Sequence, residues 1–168
     1  MTTLYLVRHG QTEDNVAQIM QGQTHGRLTE KGVRQAEALA LRMAGENIAA
    51  FVSSDLQRAV DTCRIVAEPH RLPITTTPLL RERDWGGFTG RHIPSLQGLP
   101  WPGDIETAGE MLARAGLFLE WIRESFQGKT VLAVGHGIIN KAVQSAYHSK
   151  PMHEIPRMDN AEVRTLIL

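Results

Sequence analysis

The chain has 168 residues, a length that predicts one domain, residues 1–168, with a substantial buried core. Its 18 Lys and Arg residues balance its 18 Asp and Glu residues, so no net charge draws it to nucleic acid or to a membrane surface. Cys63 is the only cysteine, no apolar run approaches the roughly 20 residues that cross a bilayer, and the first residues lack a signal-peptide pattern. We therefore expect a cytoplasmic protein without nucleic-acid or membrane partners.

Short apolar runs alternate with segments whose apolar residues recur every three or four positions, which predicts strands alternating with amphipathic helices. The predicted strands are residues 4–7, 48–52, 72–77, 130–134 and 162–168. The predicted helices are residues 12–19, 30–43, 56–66, 104–126 and 138–148, with Thr29 and Asp55 as the N-caps of the second and third. Residues 79–103 are rich in Gly and Pro and are predicted to form a long irregular segment. The alternation indicates a three-layer α/β/α sandwich with a mostly parallel central sheet.

Two of the predicted strands end in a histidine beside glycine, as Arg8-His9-Gly10 and as Gly135-His136-Gly137. Ligands of open α/β sheets bind beyond the carboxyl ends of the strands, and these two turns meet there only if their strands are neighbours. Arg58 near the start of the third helix adds a guanidinium, which favours phosphate. The pattern indicates an anion site that contains a nucleophile. On the first turn alone, a basic surface turn is the alternative.

Six segments in order resemble the histidine phosphatase superfamily, which includes cofactor-dependent phosphoglycerate mutases and small phosphatases. They are LVRHGQTEDN, Gln21-Gly22, LTEKGVRQAEALA, SSDLQRAVDT, LLRERDWGGFTG and VGHGIINKAV. The resemblance implies a phosphoglycerate mutase-like fold. Because only about 45 residues separate Gly90 from His136, where mutases carry a longer cap, it implies a reduced cap here.

The resemblance also implies roles for particular residues. His9 matches the nucleophile that becomes phosphohistidine, and Glu82 matches the acid that protonates the leaving alkoxide. Arg8, Arg58 and His136 match the groups that hold the transferring phosphoryl oxygens. Substrate-binding positions matched in the same way are Asn15, Gln21, Gly22 and, through the mutase-like Glu-Arg pair, Arg83.

The short region after Glu82 favours hydrolysis, because a mutase must shield its phosphohistidine from water. We therefore expect a phosphomonoester phosphatase that acts on a small phosphorylated metabolite, with a phosphoglycerate mutase as the alternative. A non-catalytic phosphate-binding or regulatory module would be expected to have lost His9 or Glu82, and both are present. No cofactor is implied, and no histidine pair has a zinc-type spacing, so no metal site is predicted. The roles of Trp85, Arg91, His92 and Trp101 and the oligomeric state stay open.

Overall fold

The computed structural model describes all 168 residues and has one five-stranded sheet. The strands lie in the order β3-β2-β4-β1-β5, and only β5 runs antiparallel, at the edge next to β1. The strands are β1 (Thr3–Arg8), β2 (Ala50–Ser54), β3 (Ile74–Thr77), β4 (Thr130–Gly135) and β5 (Val163–Ile167). The helices are α1 (Glu13–Ala17), α2 (Glu30–Met43), α3 (Gln57–Ala67), α4 (Ala108–Ser125) and α5 (Gly137–His148).

Each face of the sheet is covered by one pair of helices, which confirms the predicted three layers. Successive side chains of a strand point to opposite faces, so Leu6 of β1 packs with α4 and α5 whereas Val7 packs with α2 and α3. Leu132 and Val134 of β4 lie on the second face, and Ala133 lies on the first. Consecutive residues in the middle of β1 and β4 are therefore apolar on both faces, as expected of a parallel sheet buried on both sides.

The helix starts show where local sequence signals were sufficient. The Thr29 hydroxyl accepts a hydrogen bond from the Gly32 amide, so this predicted N-cap of α2 is confirmed. Asp55 as the cap of α3 is wrong: Leu56 occupies that position without a side-chain bond. The Asp55 carboxylate instead accepts two hydrogen bonds of 2.7 Å from the Arg81 guanidinium. Two charge-assisted hydrogen bonds to a guanidinium stabilise a carboxylate more than one hydrogen bond from a backbone amide does.

The segment between Arg81 and α4 contains no α-helix or strand, as predicted, and only two short 3-10 turns, Gly86–Phe88 and Ile93–Leu96. The predicted helix of residues 104–126 begins later, at Ala108, because Thr107 and Glu110 form a capping box there. Phe88 and Leu96 form a small separate core with Ile105. No helix of the protein is long and apolar enough to cross a membrane.

Candidate active site

The pairing of β1 with β4 brings the two histidine turns together. Arg8 is the register partner of Gly135, so the next residues along each strand, His9 and His136, stand side by side. Their ring centroids are 5.1 Å apart, and both side chains are buried. The prediction that their strands are neighbours is confirmed.

Two features prepare the His9 imidazole as a nucleophile. Its Nδ1 donates a hydrogen bond of 2.7 Å to the Gly10 carbonyl; a carbonyl can only accept, so the proton sits on Nδ1 and the Nε2 lone pair is free. Burial, and then the positive charges of Arg58 and Arg8, lower the pKa of His9 to about 3. The ring is therefore neutral throughout the physiological pH range.

His136 lies beneath the pocket surface and is fully buried. Its Nε2 is 2.8 Å from the Ser54 hydroxyl at the end of β2, and its Nδ1 has no partner in the protein. Burial, followed by the charges of Arg58 and Arg8, lowers the pKa of His136 well below its usual value. A neutral ring leaves one nitrogen to exchange a hydrogen bond with Ser54 and the other for a second partner.

The two arginines predicted at this site are both buried and both held by backbone carbonyls. Arg8 donates to the Met158 carbonyl at 2.7 Å, and Arg58 donates to the Gly22 carbonyl at 2.8 Å and to the Thr24 carbonyl. The Nε atoms of both guanidinium groups are buried and have no partner in the protein. Burial lowers the pKa of Arg58 to about 10, so the group stays cationic at neutral pH. Two fixed cations with free donors thus flank His9.

Glu82 lies at the N-terminus of α5. Its Oε2 accepts from the Ile138 amide at 3.0 Å, and its Oε1 accepts from the amides of Ile139 at 3.0 Å and Arg83 at 2.8 Å. Helix N-termini favour carboxylates in this position. The three bonds fix the orientation of the carboxyl group relative to Gly137, the residue after His136.

Arg114 of α4, which the sequence reasoning missed, holds the chain around Glu82. Its guanidinium donates to the carbonyls of Leu79 at 3.0 Å and Arg81 at 2.6 Å, and pairs with the Glu106 carboxylate at 2.8 Å. The backbone that precedes Glu82 is therefore attached to a long, well-packed helix. The sequence gives little sign of this role for Arg114, because a charged residue within an amphipathic helix usually faces solvent.

Asn15, Gln21 and Gly22, which the resemblance matches to substrate-binding positions, line the pocket. The Asn15 side-chain oxygen accepts from the Thr12 amide at 3.0 Å, and the Gln21 side-chain oxygen accepts from the Thr12 hydroxyl at 3.0 Å. Since both amide oxygens are occupied, the NH₂ groups are the parts left to bind an anion. Gly22 contributes the carbonyl that holds Arg58, and its φ of 53° favours glycine.

The structure does not place Arg83 with the other predicted site residues. Its Nε donates to the Glu106 carbonyl at 2.7 Å, and its guanidinium lies 4.8 Å from the Trp85 ring centroid and 5.1 Å from that of Trp101. Arg83 is absent from the pocket lining, whereas Trp85 is part of it. The two indole faces attract the guanidinium away from the cavity.

The glycine after His9 is required by close packing. A Cβ on Gly10 would lie 2.5 Å from the carbonyl oxygen of Gly32, in the first turn of α2. No positive φ occurs at Gly10. The turn thus depends on the absence of a side chain where α2 approaches β1.

One pocket of about 350 Å³, near the lower end of the usual range for small-molecule sites, is lined by Arg8, His9, Asn15, Gln21, Gly22, Arg58 and Glu82 among others. We call Arg8, His9 and Arg58, with His136 packed against His9, the floor. The cationic wall consists of Lys141 on α5 and Arg157 in the segment before β5. The apolar wall consists of the lining residues Ile19, Met20, Trp85 and Ile93.

The sequence reasoning missed the cationic wall. Lys141 follows Gly137 by one helical turn, a spacing that puts it on the same helix face and that could have indicated it. Arg157 lies in an irregular segment with no local pattern, so nothing in the sequence pointed to it.

The family model of the histidine phosphatase superfamily (branch 1) matches residues 4–168. The chain belongs to this superfamily. Two bacterial relatives named "probable phosphoglycerate mutase GpmB" are similar to it. The protein from Yersinia pestis (strain Pestoides F) is 34% identical over 173 residues, covering 94% of this chain and 80% of the relative. The protein from Proteus mirabilis (strain HI4320) is 46% identical over 96 residues, which span 57% of this chain and 45% of the relative.

A solved phosphatase structure has the same fold. The structure of mycobacterial glucosyl-3-phosphoglycerate phosphatase in complex with VO3 superposes with a TM-score of 0.87 at 28% identity. The match covers 98% of this chain and 92% of the mycobacterial one. The expected superfamily and phosphoglycerate mutase-like fold are confirmed, and the relatives are named as phosphoryl-transfer enzymes of two kinds, mutases and phosphatases.

Proposed function

We propose that the protein is a phosphomonoester phosphatase that works through a phosphohistidine on His9. The observation that carries the proposal is the neutral His9 ring, whose Nδ1 is occupied by the Gly10 carbonyl and whose Nε2 is free. Arg8 and Arg58 line the same pocket as His9, their charges act on its ring, and the Nε of each has no partner in the protein. A nucleophile next to fixed cationic donors is the arrangement that phosphoryl transfer needs.

In the first step, the Nε2 lone pair of His9 attacks phosphorus while the bond between phosphorus and the ester oxygen breaks. Arg8 and Arg58 neutralise the charge on the phosphoryl oxygens, and the side-chain NH₂ groups of Asn15 and Gln21 donate hydrogen bonds to them. Glu82 gives its proton to the departing alkoxide, which leaves as the alcohol.

His136 supports the same oxygens from below. The Ser54 hydroxyl already accepts a hydrogen bond from the Leu56 amide at 3.2 Å, and it can donate its own proton to His136 Nε2. The proton of the neutral ring then sits on Nδ1, which becomes the donor for a phosphoryl oxygen.

In the second step, water attacks the phosphohistidine. The Glu82 carboxylate takes a proton from this water, the bond between phosphorus and Nε2 breaks, and inorganic phosphate leaves. His9 returns to its neutral form with the Nε2 lone pair free, so no proton is left unassigned.

The test is phosphate release from p-nitrophenyl phosphate and from small metabolite esters by wild type and by His9→Ala. We expect wild type to turn over and His9→Ala to lose at least about 10⁴-fold of kcat. No release by wild type, or undiminished release by His9→Ala, would refute the proposal.

A mutase remains the second candidate because the relatives are named as mutases. It differs in keeping the phosphoryl group on the enzyme until a second substrate position accepts it. Incubation with 3-phosphoglycerate and 2,3-bisphosphoglycerate separates the two: rapid formation of 2-phosphoglycerate without net phosphate release would favour the mutase. We expect net phosphate release. The segment between Arg81 and α4, which contributes Trp85 and Ile93 to the pocket lining, contains only short 3-10 turns, whereas a mutase must shield its phosphohistidine from water.

A further inference from the structure

The carboxylate of Glu82 lies close to the cations of the floor without pairing with them. A Cβ on Gly137 would be 3.8 Å from the Glu82 Oε2 and 3.6 Å from the Arg8 Nε, so both atoms approach the same point. Burial lowers the pKa of Arg8 and of Arg58, and the charge of Glu82 opposes that lowering in both. Glu82 nevertheless forms no salt bridge with either arginine.

A carboxylate that turned towards the floor would compete with the phosphoryl group for the same donors. The Nε atoms of Arg8 and Arg58 are buried and have no partner in the protein, and opposite charges attract strongly where water is excluded. An inward-turned Glu82 would therefore block the anion site and leave its place as the acid. The catalytic arrangement depends on keeping this side chain at α5.

The three amide bonds to Glu82 do not achieve this by themselves. The amides of Ile138 and Ile139 belong to α5, whereas the Arg83 amide belongs to the segment that carries Glu82. The bonds to α5 form only while that segment stays at a fixed distance from the helix. Because the segment contains no α-helix or strand around Glu82, its own secondary structure does not fix this distance.

Arg114 holds the chain that leads up to Glu82. Its Nη1 donates to the carbonyls of Leu79 at 3.0 Å and Arg81 at 2.6 Å, and its Nη2 donates to the carbonyl of Glu82 at 3.4 Å. Arg114 lies in α4, which packs against the sheet through a row of fully buried side chains. One guanidinium thus attaches three backbone carbonyls to the core.

Glu106 holds the chain that follows Glu82. Its backbone amide donates to the Asp84 carbonyl at 2.9 Å, and its carboxylate accepts from the Asp84 amide at 3.1 Å. The same carboxylate accepts two hydrogen bonds from Arg114, at 2.8 Å and 3.0 Å. The two side chains are 14% and 16% exposed, and a bidentate pair fixes the geometry of both partners. The backbone on both sides of Glu82 is therefore joined to one ion pair.

We propose that Arg114 and Glu106 are positioning residues that keep the Glu82 carboxylate at the N-terminus of α5 and out of the anion site on the floor. Neither side chain lines the pocket, so both act through Glu82 and not on the substrate. The role of Glu82 as the acid rests on the proposed function. Its exclusion from the floor concerns anion binding and can be measured without turnover.

The experiment is a double-mutant cycle read by the binding of inorganic phosphate in isothermal titration calorimetry. The four proteins are wild type, Arg114→Met, Glu82→Gln and the double variant. We expect Arg114→Met to weaken phosphate binding about 10-fold in the wild-type background, a factor within the range of coupling between neighbouring residues. In the Glu82→Gln background it should change the affinity less than about 2-fold, because a neutral amide does not compete for the two cations.

Arg123→Met is the matched control, since Arg123 is an exposed residue of the same helix that forms no salt bridge. It should leave the phosphate affinity unchanged. Arg114→Lys keeps the charge without the planar fork and should recover part of the affinity. Thermal unfolding followed by circular dichroism shows whether each variant folds. If Arg114→Met does not fold, Glu106→Gln, which weakens the pair and keeps its shape, takes its place in the cycle.

Turnover gives a second readout that a purely structural role would not produce. We expect Arg114→Met to lower kcat for glycerol 3-phosphate several-fold more than kcat for p-nitrophenyl phosphate, because only the alkoxide needs the proton of Glu82. An equal loss of phosphate affinity with and without the Glu82 carboxylate, or no loss in either background, would overturn the inference. If the cycle behaves as expected but wild type releases phosphate from neither ester, the proposed function fails and the positioning of Glu82 stands.

Discussion

The floor and the cationic wall of the pocket both carry positive charge. The cationic side chains of the floor are held by hydrogen bonds within the protein, and those of the wall are not. Arg58 is 1% exposed and bound to backbone carbonyls, whereas Arg157 is exposed and its guanidinium has no protein partner. A group with fixed geometry suits a transition state, since its orientation costs no reorganisation during the reaction. A free group suits recognition of a variable part of the substrate. We therefore expect substitutions in the floor to change the rate of the chemical step for every substrate, and substitutions in the cationic wall to change chiefly which substrate binds.

Of the substitutions considered next, the largest effect should come from Glu82, whose carboxylate lies at the N-terminus of α5. Glu82→Gln keeps the amide contacts of one oxygen but removes the proton that an alkoxide requires. We expect kcat for an alkyl ester to fall on the order of 10²–10⁴-fold, and kcat for p-nitrophenyl phosphate to fall much less, because nitrophenolate leaves without a proton. Steady-state rates on both esters check this. A larger loss of kcat for p-nitrophenyl phosphate than for the alkyl ester would show that Glu82 is not the acid.

Arg58→Gln should test whether the floor acts on every substrate alike. Loss of one fixed donor to developing charge typically costs about 10²–10³-fold in kcat, and we expect the same factor for esters with and without a carboxylate. Arg64→Gln on the same helix, whose side chain is 66% exposed, is the control and should change little. If Arg58→Gln altered the preference between esters, the division between floor and wall would be wrong.

Ser54→Ala tests whether the hydrogen bond between Ser54 and His136, beneath the pocket, contributes to the rate. Removing the hydroxyl that contacts His136 leaves a buried ring nitrogen without its partner, and we expect about a 10-fold loss in kcat with little change in KM. Ser54→Thr keeps a hydroxyl and should recover most of the rate. Equal losses in both variants would point to packing and not to the hydrogen bond.

The smallest effect concerns stability. The pKa of His9 is about 3 in the folded protein and about 6.5 when unfolded. The unfolded chain therefore binds more protons between these values, so stability is complete above about pH 6.5 and is lost as pH falls towards about 3.

From pH 7 to pH 5 the His9 contribution amounts to about 2 kcal/mol in the free energy of unfolding. Urea titrations of wild type and His9→Gln at both pH values measure it, because the variant lacks this group. An equal fall in both proteins would mean that the floor does not hold His9 neutral.

Much of the floor could be predicted from the sequence because its residues sit at strand ends. Arg8 and His9 follow an apolar run directly, and the parallel register with β4 carries His136 to the same place. Arg58 followed from its place near the start of the third helix, and the resemblance to the superfamily added Glu82 beside the floor. Local patterns were enough here because the sheet itself positions these side chains.

Contacts between distant segments could not be predicted. Asp55 has the right residue type and place for an N-cap, but Arg81 binds it. Arg83 follows Glu82 directly, yet two tryptophans from either end of the irregular segment hold its guanidinium. Arg157 reaches the pocket only because Arg164 and the floor fix a segment without regular structure. Such placements depend on tertiary contacts that no local period encodes.

The most direct test of the account is to identify the phosphorylated residue. The protein is mixed with an excess of substrate and quenched in base, which preserves phosphohistidine, and its peptides are mapped by mass spectrometry. We expect the added phosphoryl group on Nε2 of His9, with no adduct in His9→Ala. A phosphoryl group on another residue, or turnover without any adduct even when single-turnover quenching covers the reaction time, would contradict the central claim.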